Sequence, residues 1–315
     1  MASAWASRRS GAIAAPDPCP DRSAALDHRN GFSGAIPWSP SASSSCSSPP
    51  WRVSTCSSSA ASTRTGPVRG VALVTGAPRR IGRALALAAA QAGYDLAIHH
   101  RSHPEDADSL AAEAADIGAN SLILTGDLAD PVTASELMDA ASRLGPVTLL
   151  VNNASLFEED SFQSLNADGL NAHLAINLTA PVLLSQAFAL RLPAHRRGLI
   201  VNVLDQRVLR PNPQFFSYAL SKAALWQATK TMAQALAPRI RVNGIGPGPT
   251  LASVHQVAGE FEAEAAATLL GKPVDPGEIA AALRYLIDAP SVTGQMIAVD
   301  AGQHLGWRTP DIVSG

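Results

Sequence analysis

The sequence predicts an α/β fold, a doubly wound parallel sheet in a single domain behind a disordered N-terminal extension, and three observations lead there. Residues 1–70 hold Ser/Ala/Pro tracts with no hydrophobic period that could form a packed face. From residue 71 onward, apolar runs of strand length alternate with longer helical stretches. Those runs are continuously apolar, which implies burial on both faces, as in a parallel sheet covered by helices.

Taken in order, the extension (1–70) is rich in Arg and Ser and poor in acids, and it lacks the compact apolar stretch of a secretory signal. It reads as a transit peptide or as the product of a start codon placed too far upstream. All three cysteines, Cys19, Cys46 and Cys56, fall within it. The domain at 71–315 therefore has no thiols for a disulfide or a Cys-based metal site, and a cytoplasmic, reducing location is expected. Its strands are expected at residues 71–74, 96–98, 121–124, 149–151, 199–203, 240–243 and 296–299.

The chain is nearly neutral, with 24 Lys+Arg against 26 Asp+Glu. A dedicated nucleic-acid binder would show a basic excess, so that class is set aside. No stretch reaches the roughly 18 consecutive apolar residues of a membrane span.

In doubly wound sheets ligands bind beyond the carboxyl ends of the strands. The first such end reads Thr75-Gly76-Ala77-Pro78-Arg79-Arg80-Ile81-Gly82 and opens a helix. Gly76 and Gly82 allow a tight turn and close backbone approach, so a pyrophosphate can meet the helix N-terminus. The second strand ends in His99-His100-Arg101-Ser102, where an NAD site would carry an acid. His100, Arg101 and Ser102 instead offer donors to a 2′-phosphate, which favours NADPH; a solvated basic loop is the alternative. Asp127 and Leu128 follow the third strand, at the place for an adenine. Asn153, Ala154 and Ser155 follow the fourth, where small residues let the backbone pass a ribose. Pro247 and Gly248 close the sixth.

Tyr218 and Lys222 stand at i, i+4 in a helical stretch, which puts phenol and ammonium on one face. This ordered set resembles the short-chain dehydrogenase/reductase family over essentially residues 71–305. The resemblance implies a Rossmann-like subunit, a Tyr218/Lys222 catalytic pair, a supporting Asn177 on the preceding helix and a homotetramer. Asn177 could otherwise be a mid-helix residue bonding the backbone.

Two departures from the family pattern are informative. Arg80 replaces the middle glycine of the fingerprint, and Asp205 stands where a serine is usual, thirteen residues before Tyr218. With His100-Arg101-Ser102 and Asn153-Ala154-Ser155-Leu156-Phe157, these are similar to the pteridine reductase branch. That likeness implies that Arg80 and Ser155 reach cofactor phosphates and pterin, that Phe157 stacks on the pterin, and that Asp205 and Tyr218 line its site. Lys222 is expected to lower the phenol pKa and to hold the nicotinamide ribose. The leading expectation is an NADPH-dependent reductase of a pterin or folate. A general carbonyl reductase, with Asp205 incidental, and a non-catalytic NADPH-binding regulator remain open.

Overall fold

The computed structural model describes residues 54–56 (backbone only), 67–252 and 256–307. The rest of the extension, with Cys19 and Cys46, lies outside the described residues. In chain order the elements are β1 (Ser54–Cys56), β2 (Gly70–Val74), α1 (Arg80–Gln91), β3 (Tyr94–His100), α2 (Pro104–Asp116), β4 (Ser121–Thr125), α3 (Thr133–Ala141) and β5 (Val147–Asn152). There follow α4 (Ala167–Leu174), α5 (Ala180–Arg191), β6 (Gly198–Val203), α6 (Phe216–Leu236), β7 (Ile240–Pro247), α7 (Glu260–Ala266), α8 (Pro276–Asp288) and β8 (Met296–Val299).

All seven expected strands are present as β2 to β8, and among themselves they pair only in parallel. The sheet order is β1-β4-β3-β2-β5-β6-β7-β8. Within the stretch expected to carry no regular element, Ser54–Cys56 forms a strand that pairs antiparallel with β4 at the sheet edge. β2, β3, β5 and β6 are buried along their whole length, as continuous apolar runs demand.

Helices cover both faces. On one, α1, α2 and α8 pack Leu85, Leu110, Leu283 and Leu286 against β2 and β3. On the other, α3, α5 and α6 contribute Leu137, Met138, Leu184, Phe188 and Ala233. α8 begins with an Asp275/Glu278 capping box and Pro276 in its first turn, which satisfies donors the helix leaves free. α6 has no such cap. Its entry residue, Phe215, is left-handed (φ 53°), and Asp160 accepts from the backbone N–H of Ser217 at 3.0 Å, tying the segment after β5 to the start of α6.

The helical run Ala167–Arg191 is, by length and a mean hydropathy of 1.4, apolar enough to cross a bilayer. The sequence reading sets such a span aside because Gln91, Asp95 or Pro193 cuts the most apolar segments short. Here its C-terminal half lies against the sheet, with Leu184, Ala187 and Phe188 in the core. A core helix and a spanning helix share this composition.

Candidate active site

Strand order reverses between β2 and β5, so a crevice opens at their carboxyl ends. Two side chains knit the turns there together. Thr75 Oγ1 accepts from the N–H groups of Asn153 (2.9 Å) and Ala154 (3.0 Å), and Asn153 Nδ2 donates to the carbonyls of Thr75 (2.9 Å) and Gly76 (3.1 Å). Gly76 is left-handed (φ 61°), which favours glycine. A Cβ at Gly82 would run into the Gly76 carbonyl oxygen. The N-terminus of α1 has no side-chain cap and no acid in its first turn, so its free N–H groups suit an anion. These residues fit a dinucleotide phosphate. Ile81 is half-buried behind the turn.

Arg80 is exposed and also left-handed (φ 54°). Its guanidinium donates to the carbonyls of Leu251 and Ala252, both at 2.9 Å, in the segment after β7. In this structure Arg80 thus ties the turn to that segment. Pro247 ends β7 opposite Val299, and a Cβ at Gly248 would lie 2.6 Å from Asp300 Cα, so the backbone passes there only without a side chain.

Beyond β3 the expected donors separate. Arg101 and Ser102 are exposed. Arg101 lines a cleft of about 310 Å³ with Thr125, Gly126, Asp127 and Asp130. Asp127 accepts from the N–H of Ala129 at 2.9 Å, and Leu128 is buried beside it. His100 instead is buried: Nδ1 accepts from the N–H of His103 (3.1 Å), Nε2 lies 3.2 Å from Thr125 Oγ1, and burial lowers its pKa. It does not share the exposed face of Arg101 and Ser102. Its neighbour His99, unremarked in the sequence, turns toward the Gly76 turn.

Past β6, the backbone carries Asp205 into a short 3-10 turn. Its Oδ1 accepts from the N–H of Arg207 (2.8 Å) and its Oδ2 from the Tyr218 phenol (2.8 Å). Asp205 therefore both caps the turn that follows it and meets Tyr218. Burial raises the pKa of Asp205. Burial, followed by the charge of Asp205, holds Tyr218 well above the usual phenol range. This corrects the expectation that Lys222 lowers it. Lys222 Nζ donates to the Val203 carbonyl at 2.8 Å and lies 5.6 Å from the Tyr218 ring centroid; burial brings its own pKa to about 8.

Asn177 is fully buried in a single π-helical turn, Ala175–Thr179, between α4 and α5. Its Oδ1 accepts from Ser155 Oγ (3.1 Å) and the N–H of Leu156 (2.8 Å). Its Nδ2 donates to the Leu156 carbonyl and to Ser221 Oγ, both at 2.9 Å, and Ser221 in turn donates to the Tyr218 carbonyl. Asn177 thus holds the segment after β5 against α6, and its bonds run to that segment rather than along its own helix.

An aromatic wall stands over the acid pair. Phe157 meets Tyr218 edge to face (centroids 4.7 Å) and stacks on Phe215 (4.2 Å, 12° between planes). The Arg207 guanidinium lies over both phenylalanines, 5.7 and 5.2 Å from their centroids. Such contacts contribute on the order of 1 kcal/mol each. Phe157 is thus a half-buried wall residue rather than core. Sequence reasoning missed Phe215 and Arg207, although Phe215 stands three residues before Tyr218 and Arg207 two after Asp205.

A profile described as short chain dehydrogenase matches residues 70–263. FolM alternative dihydrofolate reductase 1 of Brucella canis, solved with NADP, is 46% identical, with a TM-score of 0.74 over 77% of this chain and 97% of its own. An uncharacterized oxidoreductase of Mycobacterium tuberculosis is 35% identical over 77% of this chain and 96% of its own length. A 3-oxoacyl-acyl-carrier-protein reductase of Synechocystis is 28% identical over 74% of this chain and 96% of its own. The chain belongs to the short-chain dehydrogenase/reductase family. Within it, the likeness to FolM is consistent with the pteridine reductase-like branch.

Proposed function

We propose that the protein is an NADPH-dependent reductase of a pterin or dihydropterin C=N bond, with dihydrobiopterin, dihydromonapterin or dihydrofolate as substrate. The observation that carries this is the 2.8 Å hydrogen bond from Tyr218 to Asp205 beneath the Phe157/Phe215 wall. Reduction of C=N needs a hydride at carbon and a proton at nitrogen. NADPH, when bound, supplies the hydride.

The chain's residues do the rest. Tyr218 keeps its proton at neutral pH and is the donor to the substrate nitrogen. Asp205 fixes the direction of the phenol, and its own raised pKa makes it the group through which the phenol regains a proton. Lys222 holds positive charge beside the Tyr218 ring and would hold the nicotinamide ribose. Asn177 and Ser155 keep the segment after β5 in place. Phe157 offers a flat apolar surface to a planar heterocycle. Gly76, Ile81, Gly82, Asn153, Ala154, Pro247 and Gly248 shape the dinucleotide crevice. Asp127 and Leu128 would flank the adenine, and Arg101 with Ser102 would take the 2′-phosphate. Arg80 meets phosphate or pterin once it leaves the Leu251 and Ala252 carbonyls.

The likeness to FolM alternative dihydrofolate reductase 1 supports this reading, and the 3-oxoacyl reductases among the relatives support a carbonyl reductase instead. A panel of dihydropterins, dihydrofolate and simple ketones, each with NADPH and with NADH, separates the two. Turnover of a dihydropterin or dihydrofolate, preferring NADPH and lost in Asp205→Ser, is the expected outcome. Turnover of ketones alone, undiminished in Asp205→Ser, would reject it.

A further inference from the structure

Two amides of the turn after β2 are already engaged within the protein. Pro78 has no N–H. The N–H of Ala77 donates to the His99 carbonyl at 3.0 Å, and the N–H of Gly76 donates to His99 Nδ1 at 3.3 Å. One residue at the end of β3 therefore takes two consecutive donors of the turn. The other ring nitrogen, Nε2, lies 3.1 Å from the Gly126 carbonyl. An acceptor at Nδ1 and a donor at Nε2 define one tautomer of a neutral imidazole. The ring is 2% exposed, and burial holds its pKa at about 4.

His99 thus spans two loops of different purpose. Gly76 begins the turn that faces the phosphates, and Gly126 precedes Asp127 on the cleft that Arg101 lines. We propose that His99 is a positioning residue for the dinucleotide: its imidazole bridges the Gly76 and Gly126 backbones and so fixes the spacing between phosphate turn and adenine cleft. The proposal rests on the reading that this crevice binds NADPH. It adds a residue that touches neither reacting carbon nor acid pair. A distance set by a rigid ring suits a ligand that must meet both ends at once, because preorganisation lowers the cost of ordering the loops on binding.

Two substitutions separate the bridge from mere filling of space. His99→Phe keeps a planar ring and removes both hydrogen bonds. His99→Gln offers an acceptor and a donor at comparable separation. NADPH affinity is read by nucleotide fluorescence on titration, kcat and KM by steady-state kinetics, and folding by the melting temperature without nucleotide.

The expected result is a loss of NADPH affinity of about tenfold or more in His99→Phe, the equivalent of one buried hydrogen-bonding group left unpaired. KM for NADPH should rise in step, kcat at saturating NADPH should stay within about twofold, and His99→Gln should recover most of the affinity. Unchanged affinity in a folded His99→Phe would overturn the proposal. So would equal losses in both variants that track a lower melting temperature. A wild-type protein that does not bind NADPH at all would instead remove the cofactor reading beneath it.

Discussion

Two clusters of buried polar groups lie at the carboxyl ends of the sheet, and they are built on opposite principles. Around the first turn, Thr75, Asn153 and His99 are neutral, and their hydrogen bonds run to backbone groups of other turns. Around β6 and α6, the half-buried Asp205 and the buried Tyr218 and Lys222 are ionisable, and desolvation displaces the pKa of each. Buried neutral groups with partners rigidify a site at little cost. Buried ionisable groups resist charge, and a site that must hand over a proton gains from that resistance. The first cluster is a frame and the second a proton store.

The comparison is broken most severely by removing the stored proton. Tyr218→Phe should lower kcat by roughly 10²–10⁴ with NADPH affinity intact, the usual contribution of a positioned general acid; a variant retaining more than a tenth of wild-type kcat would place the donor elsewhere. Next in size is Arg101→Ala. If the exposed cation at the cleft pairs with a 2′-phosphate, the NADPH over NADH preference in kcat/KM should fall about 10- to 100-fold, the range expected for a charge-assisted hydrogen bond. An unchanged ratio would leave Arg101 a solvated loop residue.

The ionisable cluster also predicts two opposite pH responses. Lys222 has its pKa near 8, below its ordinary 10.5. As pH rises through 8 its charge is lost, so kcat/KM should fall about tenfold per pH unit beyond that point. Stability moves the other way. Between 8 and 10.5 the unfolded chain binds more protons at this site than the folded one, so this contribution to unfolding free energy rises with pH and its penalty is fully present below 8. A flat kcat/KM profile from pH 7 to 9.5 would contradict the assignment. The smallest effect belongs to the frame: Thr75→Val leaves the N–H groups of Asn153 and Ala154 without their acceptor and should cost about 1–3 kcal/mol in denaturant unfolding.

The sequence made the frame of the sheet legible because a doubly covered parallel strand must be apolar throughout, and all seven runs became strands. Asp205 and Tyr218 were legible as a pair only through the resemblance to the pteridine reductase branch, in which an Asp stands thirteen residues before the tyrosine. Contacts that depend on how irregular segments fold back were not legible. Nothing in a linear reading places the Phe215 ring on Phe157, because the contact depends on a left-handed backbone at the entry of α6. The His-His-Arg-Ser run gave donors without orientation: successive strand residues face opposite ways, so His100 and His99 serve different neighbours. The π-helical turn around Asn177 has no periodic signature either, as a single inserted residue leaves the apolar pattern on both sides intact.

Arg80 occupies a backbone conformation that a glycine would adopt without penalty. A glycine there would relax the loop by about 1 kcal/mol and would leave it bare. The chain keeps the uncomfortable pose and with it a long cationic arm at the rim of the crevice, resting on two carbonyl oxygens. That arm is held by neutral acceptors alone, with no carboxylate paired to it by a salt bridge among the described residues. The first turn of the sheet and the chain beyond its seventh strand are thereby joined through a single side chain.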